Sequence, residues 1–372
     1  MRHPRHRLPS ELTERFVDIR ADLGVPDAFP PEVVALAHER ATKGPLPHDR
    51  ADRREVELLS IDPAGSRDLD QALHLARDGS GFTFHYAIAD LGSWIVPGDA
   101  LDTEARRRGA TVYSPDVRTP VHPVELSEGA ASLLAETEVP AVLWTIRLDQ
   151  RGEVVDHRVE RALVRNRRAL SYSEVQAAIE AGTTDEQFRL IQEVGELRRE
   201  RERARGGISL QLPEQRVERV DSDGHYELIY DEALAVEQWN AQLSLCCGMV
   251  AATIMIDAGV GILRTLPPPE AGTLDELRRR SVALGVPWPE GTDYPTWVRS
   301  LDPATPAGAA LTTQAARTLR GSGYLAFDGT LPAEHQHHAI AADYAHVTAP
   351  LRRLVDRFAN ECVLAAAAGV HP

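Results

Sequence analysis

Short apolar or alternating stretches dominate the chain between about residue 55 and residue 164, and β-branched residues are frequent in them. Alternation of apolar and polar positions is typical of half-buried strands, and continuous apolar runs are typical of fully buried ones. Segments rich in Gly, Asp and Pro separate the stretches and predict turns. We therefore predict four strands, at 56–62, 82–91, 141–149 and 153–164.

Helical spacing of apolar positions predicts the helices of the chain. These helices are expected at 11–23, 31–41, 100–108, 186–205, within 233–257 and at 350–368. Strands early and helices late indicate an α+β fold, in which a mixed or antiparallel sheet packs against long helices. The pattern predicts a short helical N-terminal extension at 1–50 and one large domain at 51–372, with the Pro/Gly-rich segment 265–307 as an excursion from it.

Charge and cysteine usage narrow the possible partners. The 372 residues carry 41 Lys and Arg against 56 Asp and Glu, and the net charge of −15 excludes a uniformly basic surface for nucleic acid. A cleft that concentrates the basic groups stays possible, because the local field guides a charged ligand. Three cysteines, two of them adjacent, exclude a disulfide framework and indicate a reducing compartment. The chain has no signal-peptide pattern and no stretch of membrane-span length, so we expect a cytoplasmic protein without a membrane partner.

Three carboxylates lie within nine positions at the end of a predicted strand. Asp62 closes the strand, and Asp68 and Asp70 follow a Pro-Ala-Gly-Ser turn. Asp68 and Asp70 share a face if the backbone is extended, and converging carboxylates need positive charge between them. Hard oxygen ligands favour Mg²⁺ or Mn²⁺, and a pair of such ions often serves phosphodiester cleavage. The alternative is an ordinary Asp-rich turn, in which each carboxylate bonds its local backbone.

A second polar segment lies near the C-terminal end of the chain. Pro350 fits the first turn of a helix with Thr348 at or near its cap, and the free backbone N–H groups there would form an anion site. Arg352 and Arg353 would lie about 100° apart on such a helix, so that one of them faces a cleft. A guanidinium at a scissile phosphate stabilises transition-state charge. The alternative is a surface helix with an Arg352–Asp356 pair four residues apart.

In this order, the two segments and the sequence between them resemble the RNB catalytic domain of the ribonuclease II family, in a short form like that of actinobacteria or deinococci. The resemblance covers about residues 55–360 and is carried by an ordered series of segments. These segments are IDPAGSRDLDQ (61–71), HYAIADLGSWIVPGDALDTEARRRGATVYSPD (85–116), PVHPVELSEGAASLL (120–134), SYSEV (171–175), ALAVEQWNAQL (233–243) and YAHVTAPLRRLVDR (344–357). Each segment alone is weak, but the ordered series is specific.

The resemblance implies a metal-dependent, hydrolytic 3′→5′ exoribonuclease that threads single-stranded RNA through a channel and releases 5′-mononucleotides. It implies Mg²⁺, with Mn²⁺ as a substitute, and the implied metal ligands are Asp62, Asp68, Asp70 and Gln71. The implied catalytic residues are Asp70 and Arg352. An aromatic side chain that stacks on the last base is a sequence-tolerant contact. The implied RNA-binding residues are Tyr113, which would make that stack, Glu237, Thr348 and Arg353.

The chain also departs from the family pattern. Gln71 stands where the family has a fourth Asp, so we expect a site that needs more Mg²⁺ or prefers Mn²⁺. The family's oligonucleotide-binding barrels do not fit before residue 50, and we expect its C-terminal acidic helix and RNA-binding barrel to be absent. Either the sequence is a fragment of a longer protein, or the protein relies on the catalytic channel alone. Two other functions stay open: an RNB-like RNA-binding protein with impaired catalysis, and an unrelated metal-dependent transferase with an Asp-x-Asp loop. The sequence indicates no protein partner.

Overall fold

Most strands precede residue 175 of the chain. The structure is a computed structural model, and it describes residues 6–8, 12–182, 184–210, 214–219, 226–231 and 233–372. The strands in these ranges are β1 (His6–Leu8), β2 (Ala51–Asp52), β3 (Leu58–Asp62), β4 (Gln71–Asp78), β5 (Gly81–Ala89), β6 (Val112–Tyr113), β7 (Arg118–Thr119), β8 (Glu138–Leu148), β9 (Val154–Ser171), β10 (Glu214–Arg219), β11 (Tyr226–Asp231), β12 (Val260–Thr265) and β13 (Gly323–Asp328). The four predicted strands are confirmed as β3, β5, β8 and β9.

Six of these strands form one mixed sheet in the order β2-β9-β3-β4-β5-β8. Because β9 pairs with β8 as well, the strands β9, β3, β4, β5 and β8 close into a ring. β2 and β3 run parallel to β9, and the other neighbours are antiparallel. The length of β9 permits this closure, since residues 154–165 pair with β8 and residues 166–171 pair with β3.

Strand β4 begins directly after the Asp cluster and is absent from the sequence prediction. Its polar residues, such as His74 and Arg77, interrupt the apolar pattern, although Leu73 and Leu75 are buried. β3 and β4 are antiparallel, with Leu59 opposite Leu73. If this register is continued by three residues, Asp62 at the end of β3 lies opposite Asp70, the residue before β4. The sheet therefore gathers the first and last carboxylates of the cluster.

Ten α-helices complete the described part of the chain. They are α1 (Leu12–Asp22), α2 (Pro31–Lys43), α3 (Ala100–Arg108), α4 (Tyr172–Glu180), α5 (Glu186–Ala204), α6 (Ala235–Ala258), α7 (Ala271–Ala283), α8 (Tyr294–Arg299), α9 (Pro306–Ala315) and α10 (Leu354–Ala367). Side-chain caps fix the starts of two helices: Asp99 accepts the Asp102 N–H before the predicted helix α3, and Ser171 forms a capping box with Glu174 at α4.

The main core lies between the ring of strands and the long helices α5 and α6. Sheet residues such as Phe84 and Trp144 share one buried cluster with Val194 of α5 and Leu243 of α6. Adjacent Cys246 and Cys247 on α6 are fully buried, and all three cysteines of the chain are free thiols. The α+β fold with a mixed sheet is confirmed.

Helix α2 lies in the predicted N-terminal extension and packs against the large domain. Val33 and Ala37 of α2 belong to a buried cluster with Leu91, Trp94 and, from the far end of the chain, Leu351. The side chain of Leu351 thus anchors the backbone next to Arg352 against this cluster. The segment predicted as an excursion at 265–307 contains α7, α8 and the first residues of α9, and these three helices share a separate small core.

Helix α6 corrects the expectation that no stretch reaches membrane-span length. In the described part of the chain, α6 alone among the helices is long and apolar enough to cross a membrane by length and composition, and half of its most apolar stretch is buried inside the structure. A core helix of a soluble domain passes the same test. The packing of α6 in the main core accounts for the apolar composition of this helix.

The predicted helix at 350–368 is wrong at its start, because α10 begins at Leu354. Pro350 lies in a turn instead, where the backbone N–H groups of Arg352 and Arg353 donate to the carbonyl of Ala349. Thr348 is therefore not a helix cap; its side chain is buried, and its hydroxyl is bonded to that of Ser244 at 2.9 Å. The carboxylates described below hold this turn by two of its backbone N–H groups, those of Ala349 and Leu351.

Candidate active site

A cavity of about 620 Å³ opens beside the loop between β3 and β4. Four parts of the chain line it: the 62–68 segment, the β6–β7 hairpin, the π-helical segment Leu126–Ala130, and the turn before α10. The lining residues are Asp62, Pro63, Ala64, Gly65, Ser66, Arg67, Asp68, Tyr113, Arg118, Glu128 and Arg352. The cavity thus gathers acidic, basic and aromatic groups that are far apart in the sequence.

Asp70 and Arg352 form the ion pair behind this cavity. Asp70 is 1% exposed, and its carboxylate accepts one hydrogen bond from Arg352 Nε at 2.6 Å and one from the Leu351 N–H at 2.7 Å. Burial raises the pKa of Asp70 above its ordinary value, and the charge of Arg352 opposes that rise. Both carboxylate oxygens are used, so Asp70 fixes the position of Arg352 at the cavity wall.

The two arginines of the C-terminal segment have different partners. The alternative interpretation paired Arg352 with Asp356, and the structure shows this to be wrong. Asp356, which is fully buried, instead accepts from Arg353 Nε and Nη2 at 2.8 and 2.7 Å and from the Ala349 N–H at 2.7 Å. Arg352 lines the cavity, whereas Arg353 and Thr348 do not. The structure therefore brings only the first of these three residues to the cavity.

Asp62 and Asp68 face the cavity from the loop after β3. Asp68 makes an ion pair with Arg118 at 2.9 Å. Burial raises the pKa of Asp62 to about 6; the charge of Arg352 opposes the rise, and the charge of Asp68 adds to it. The influence of both Arg352 and Asp68 on Asp62 shows that the charged groups act on one another across the cavity.

Gln71, the residue in place of a fourth carboxylate, points to a tyrosine. Its amide oxygen accepts a hydrogen bond from the hydroxyl of Tyr86, which lies on β5 and is fully buried. Burial raises the pKa of Tyr86 well above its ordinary value, and the charge of Asp62 adds to that rise. Gln71 therefore lies close to the carboxylates, with its oxygen already used within the protein.

A divalent cation fits part of the implied donor set. Among the described residues, no group of three or more His, Cys, Asp and Glu side chains is arranged to hold a metal ion. Asp62 and Asp68 are nevertheless two hard oxygen donors in one cavity wall. Mg²⁺ commonly binds through one or two carboxylates and completes its shell with water and substrate phosphate. The residues present fit such a site at Asp62 and Asp68, with Asp70 and Gln71 engaged by protein groups.

Tyr113 and Arg118 form one wall of the cavity. They are directly opposite each other in the two-stranded β6–β7 sheet. Tyr113 is 60% exposed, and desolvation of its hydroxyl raises its pKa while the charge of Arg352 opposes this. An exposed ring beside guanidinium groups is typical of a surface that stacks on a nucleobase. Arg118 was not expected from the sequence, since a single Arg after a turn carries no distinguishing pattern.

Glu237 and the carboxylate Asp62 both influence Tyr172. Burial raises the pKa of Tyr172 to about 12, and Asp62 and Glu237 each contribute to the rise. The hydroxyl of Tyr172 accepts from Asn240 at 3.1 Å, and the carboxylate of Glu237 accepts the Leu234 N–H at 3.1 Å. The start of α6 therefore approaches the carboxylates, although Glu237 does not line the cavity.

Comparison with known proteins places this arrangement in a family. A model of the RNB domain matches residues 50–368. The chain is 30% identical over 341 residues to exosome complex exonuclease RRP44 homolog A of Arabidopsis thaliana, an alignment that covers 87% of this chain and 36% of that protein. RNase R of Mycoplasma genitalium, solved in complex with ribose-methylated single-stranded RNA, has a TM-score of 0.84 at 19% identity over 94% of this chain and 56% of the other.

Yeast Ssd1, described as a pseudonuclease, has the same fold. Its TM-score is 0.71 at 16% identity, over 87% of this chain and 42% of Ssd1. The chain thus spans from about a third to about half of the length of these three proteins. Because the RNB match takes in most of the chain, the chain belongs to the RNB family, the ribonuclease family that its sequence resembles.

Proposed function

We propose that this protein is a 3′→5′ exoribonuclease that hydrolyses single-stranded RNA to 5′-mononucleotides with Mg²⁺ or Mn²⁺. The observation that carries the proposal is the fixed Asp70–Arg352 pair behind a cavity that also presents Asp62, Asp68 and the exposed ring of Tyr113. The names of the relatives support it, since one is an exonuclease of the exosome and another is an RNase R bound to single-stranded RNA. A cytoplasmic location belongs to the same proposal.

Each side chain has a distinct task in this proposal. Tyr113 stacks on the last base of the strand, a contact that any base satisfies. Arg352, held by Asp70, donates to the scissile phosphate and stabilises the charge that grows there. Asp62 and Asp68 hold the divalent cation, which when bound lowers the pKa of water and neutralises phosphate charge. No covalent protein nucleophile is required.

A labelled-RNA assay tests the proposal. Single-stranded RNA with a 5′ label is incubated with the protein and Mg²⁺ or Mn²⁺, and the products are resolved at nucleotide resolution. We expect progressive shortening from the 3′ end and the release of 5′-mononucleotides. Internal cuts, or binding without any shortening over a wide range of cation concentrations, would contradict it.

The second candidate is an RNB-like RNA-binding protein without effective catalysis. Gln71 in place of a carboxylate favours it, as does the pseudonuclease Ssd1 with the same fold. This candidate predicts RNA binding with no shortening for either metal. The assay above therefore separates the two functions.

Replacing Gln71 with Asp tests how much the missing charge matters. An added carboxylate directly after Asp70 raises the negative charge of the donor set, so we expect the Mg²⁺ concentration for half-maximal activity to fall by about tenfold. The measurement is a Mg²⁺ titration of RNA shortening. Gln71→Asn is the matched control, because it has the length of Asp without the charge and should leave the requirement high. An identical titration for Gln71→Asp and the parent would contradict the idea.

The raised pKa of Asp62 predicts a pH-dependent affinity for the cation. The carboxyl binds a cation only when ionised, and its pKa is about 6. Affinity should therefore rise with pH, by up to about tenfold per pH unit below pH 6, and level off above about pH 7. Mn²⁺ binding followed by electron paramagnetic resonance without RNA measures this directly. A constant affinity between pH 5 and pH 7 would show that Asp62 is not a ligand.

A further inference from the structure

Arg118 connects two carboxylates in the wall of the cavity. Its Nη1 lies 2.9 Å from an Asp68 oxygen, and its Nη2 donates to Glu128. All three side chains keep some exposure: 30% for Arg118, 14% for Asp68 and 21% for Glu128. The guanidinium of Arg118 is therefore paired with Asp68, one of the two carboxylates proposed to bind the cation.

Of the three arginines that line the cavity, Arg118 and Arg352 pair with carboxylates, and they differ in how firmly they are held. Arg352 is paired with Asp70, which is fully enclosed and also accepts the Leu351 N–H. Opening that pair would leave the buried carboxylate without a counter-ion, which is costly. The Arg118–Asp68 pair lies in the cavity wall, and both of its side chains are partly exposed. Solvent screening makes such a pair weaker than one whose carboxylate is fully enclosed. Of the two paired arginines, Arg118 is therefore the one that can change its carboxylate partner at lower cost.

A cation entering the cavity meets unequal carboxylates. Among the described residues, Asp62 makes no ion pair within 4.0 Å, whereas the charge of Asp68 is already neutralised by Arg118. Two positive groups at one carboxylate repel each other. A divalent cation bound between Asp62 and Asp68 therefore competes with Arg118 for Asp68 and weakens that ion pair. Glu128 still holds the other side of the guanidinium and keeps it in the cavity.

The released guanidinium lies where an RNA phosphate is expected. Arg118 is the direct cross-strand partner of Tyr113, and both line the cavity. Directly opposite residues have Cβ atoms about 5 Å apart, which is comparable to the spacing of a base and its own phosphate. A base stacked on Tyr113 consequently brings a phosphate near Arg118.

We propose that Arg118 is the resident counter-ion of Asp68 and exchanges Asp68 for an RNA phosphate when a divalent cation binds. Arg118 then serves as an RNA-binding residue only in the cation-loaded protein, and cation and RNA strengthen each other's binding. The inference rests on the proposed function, since it needs a site that takes both RNA and a divalent cation.

Arg118→Gln tests the exchange with two binding measurements. Without RNA, Mn²⁺ affinity is followed by electron paramagnetic resonance, and removal of the competing guanidinium should raise it about threefold to tenfold. RNA affinity is followed by fluorescence anisotropy with a 2′-O-methylated single strand, whose intactness is checked on a gel. Arg118→Gln should change RNA affinity by less than about twofold in EDTA and lower it about tenfold with Mn²⁺.

Arg67→Gln is the matched control. Arg67 lines the same cavity and donates to the backbone carbonyl of Glu128, and among the described residues it makes no ion pair with a carboxylate. Its loss should weaken RNA binding by the same factor in EDTA and with Mn²⁺, and should leave Mn²⁺ affinity without RNA unchanged. Thermal unfolding checks the fold of both variants. If Arg118→Gln unfolds, Arg118→Lys, which keeps the charge, is measured instead. Its Mn²⁺ affinity and its RNA affinity should change in the same directions, by smaller factors.

The outcomes separate this inference from the proposed function. If Arg118→Gln lowers or does not change Mn²⁺ affinity, or weakens RNA binding equally in EDTA and with Mn²⁺, the exchange is wrong while the exonuclease proposal stands. If the unmodified protein binds neither Mn²⁺ nor RNA, both proposals fail. Higher Mn²⁺ affinity together with cation-dependent loss of RNA affinity supports the exchange.

Discussion

Asp70→Asn is expected to lower the rate of RNA shortening by about a hundredfold to a thousandfold, the cost of losing one preorganised electrostatic group. The carboxylate accepts from both Arg352 Nε and the Leu351 N–H, and a neutral amide cannot accept both bonds with the same charge. Arg352 then loses the partner that aims it. RNA affinity should change by only a few-fold, since Tyr113 is untouched. Labelled-RNA time courses and anisotropy measure the two quantities.

Asp52→Asn is the control for Asp70→Asn. Asp52 also pairs with an arginine at 2.6 Å, but both side chains of that pair, Asp52 and Arg54, are largely exposed. Its loss should leave RNA shortening unchanged, because exposed ion pairs contribute little. Arg352→Lys should resemble Asp70→Asn, since an ammonium retains the charge but not the fixed fork. Normal shortening by Asp70→Asn, with the protein folded, would contradict a catalytic role for the pair.

Gly248→Ala is expected to destabilise the fold and to reduce activity from a position outside the cavity. Gly248 lies within α6, where an added Cβ would be 2.2 Å from Tyr344 Cε2 and 2.6 Å from the carbonyl oxygen of Ala345. The Ala345 N–H also donates to the Gly248 carbonyl, so this backbone cannot easily move away. Overpacking of this kind costs about 1–3 kcal/mol of the free energy of unfolding. The displaced segment continues into the turn that carries Arg352, so the rate of RNA shortening should fall as well.

Gly272→Ala is the matched control for Gly248→Ala. Gly272 also lies within a helix, and no atom lies within 4 Å of its added Cβ. The change should be neutral or stabilise the protein by up to about 1 kcal/mol, because Ala favours the helix. Thermal unfolding and RNA shortening are measured for both variants. Equal stability of the two would show that α6 and the 344–345 segment adapt to the methyl group.

Side-chain patterns in the sequence predict elements well where a cap close in sequence fixes their ends. The helix predicted at 100–108 starts at its Asp99 cap, and α4 starts at the Ser171 capping box within the SYSEV segment. Pattern reasoning was wrong about the backbone at Pro350, because the helix begins only at Leu354. The turn before it is held by hydrogen bonds from the Leu351 N–H to Asp70, 281 residues away, and from the Ala349 N–H to Asp356.

The Arg–Asp pairings show the same limit within the site. Arg352 lies 282 residues from its partner Asp70 in sequence, and Arg118 lies on a two-residue strand that no pattern marked. Lys43 is the single lysine, so the other 40 of the 41 basic residues are arginines that no local signal distinguishes. The choice among them depends on which loops the closed ring of strands brings together.

The sequence by itself determined the α+β fold, the family, and the segments that supply carboxylates and guanidinium groups, because these depend on local periodicity and ordered motifs. Only the tertiary structure decided which arginine meets which carboxylate, that Gln71 bonds to Tyr86, and that Tyr113 and Arg118 form one wall. The physical reason is that ion pairs and hydrogen bonds act over a few ångströms, and the closure of the sheet sets those distances.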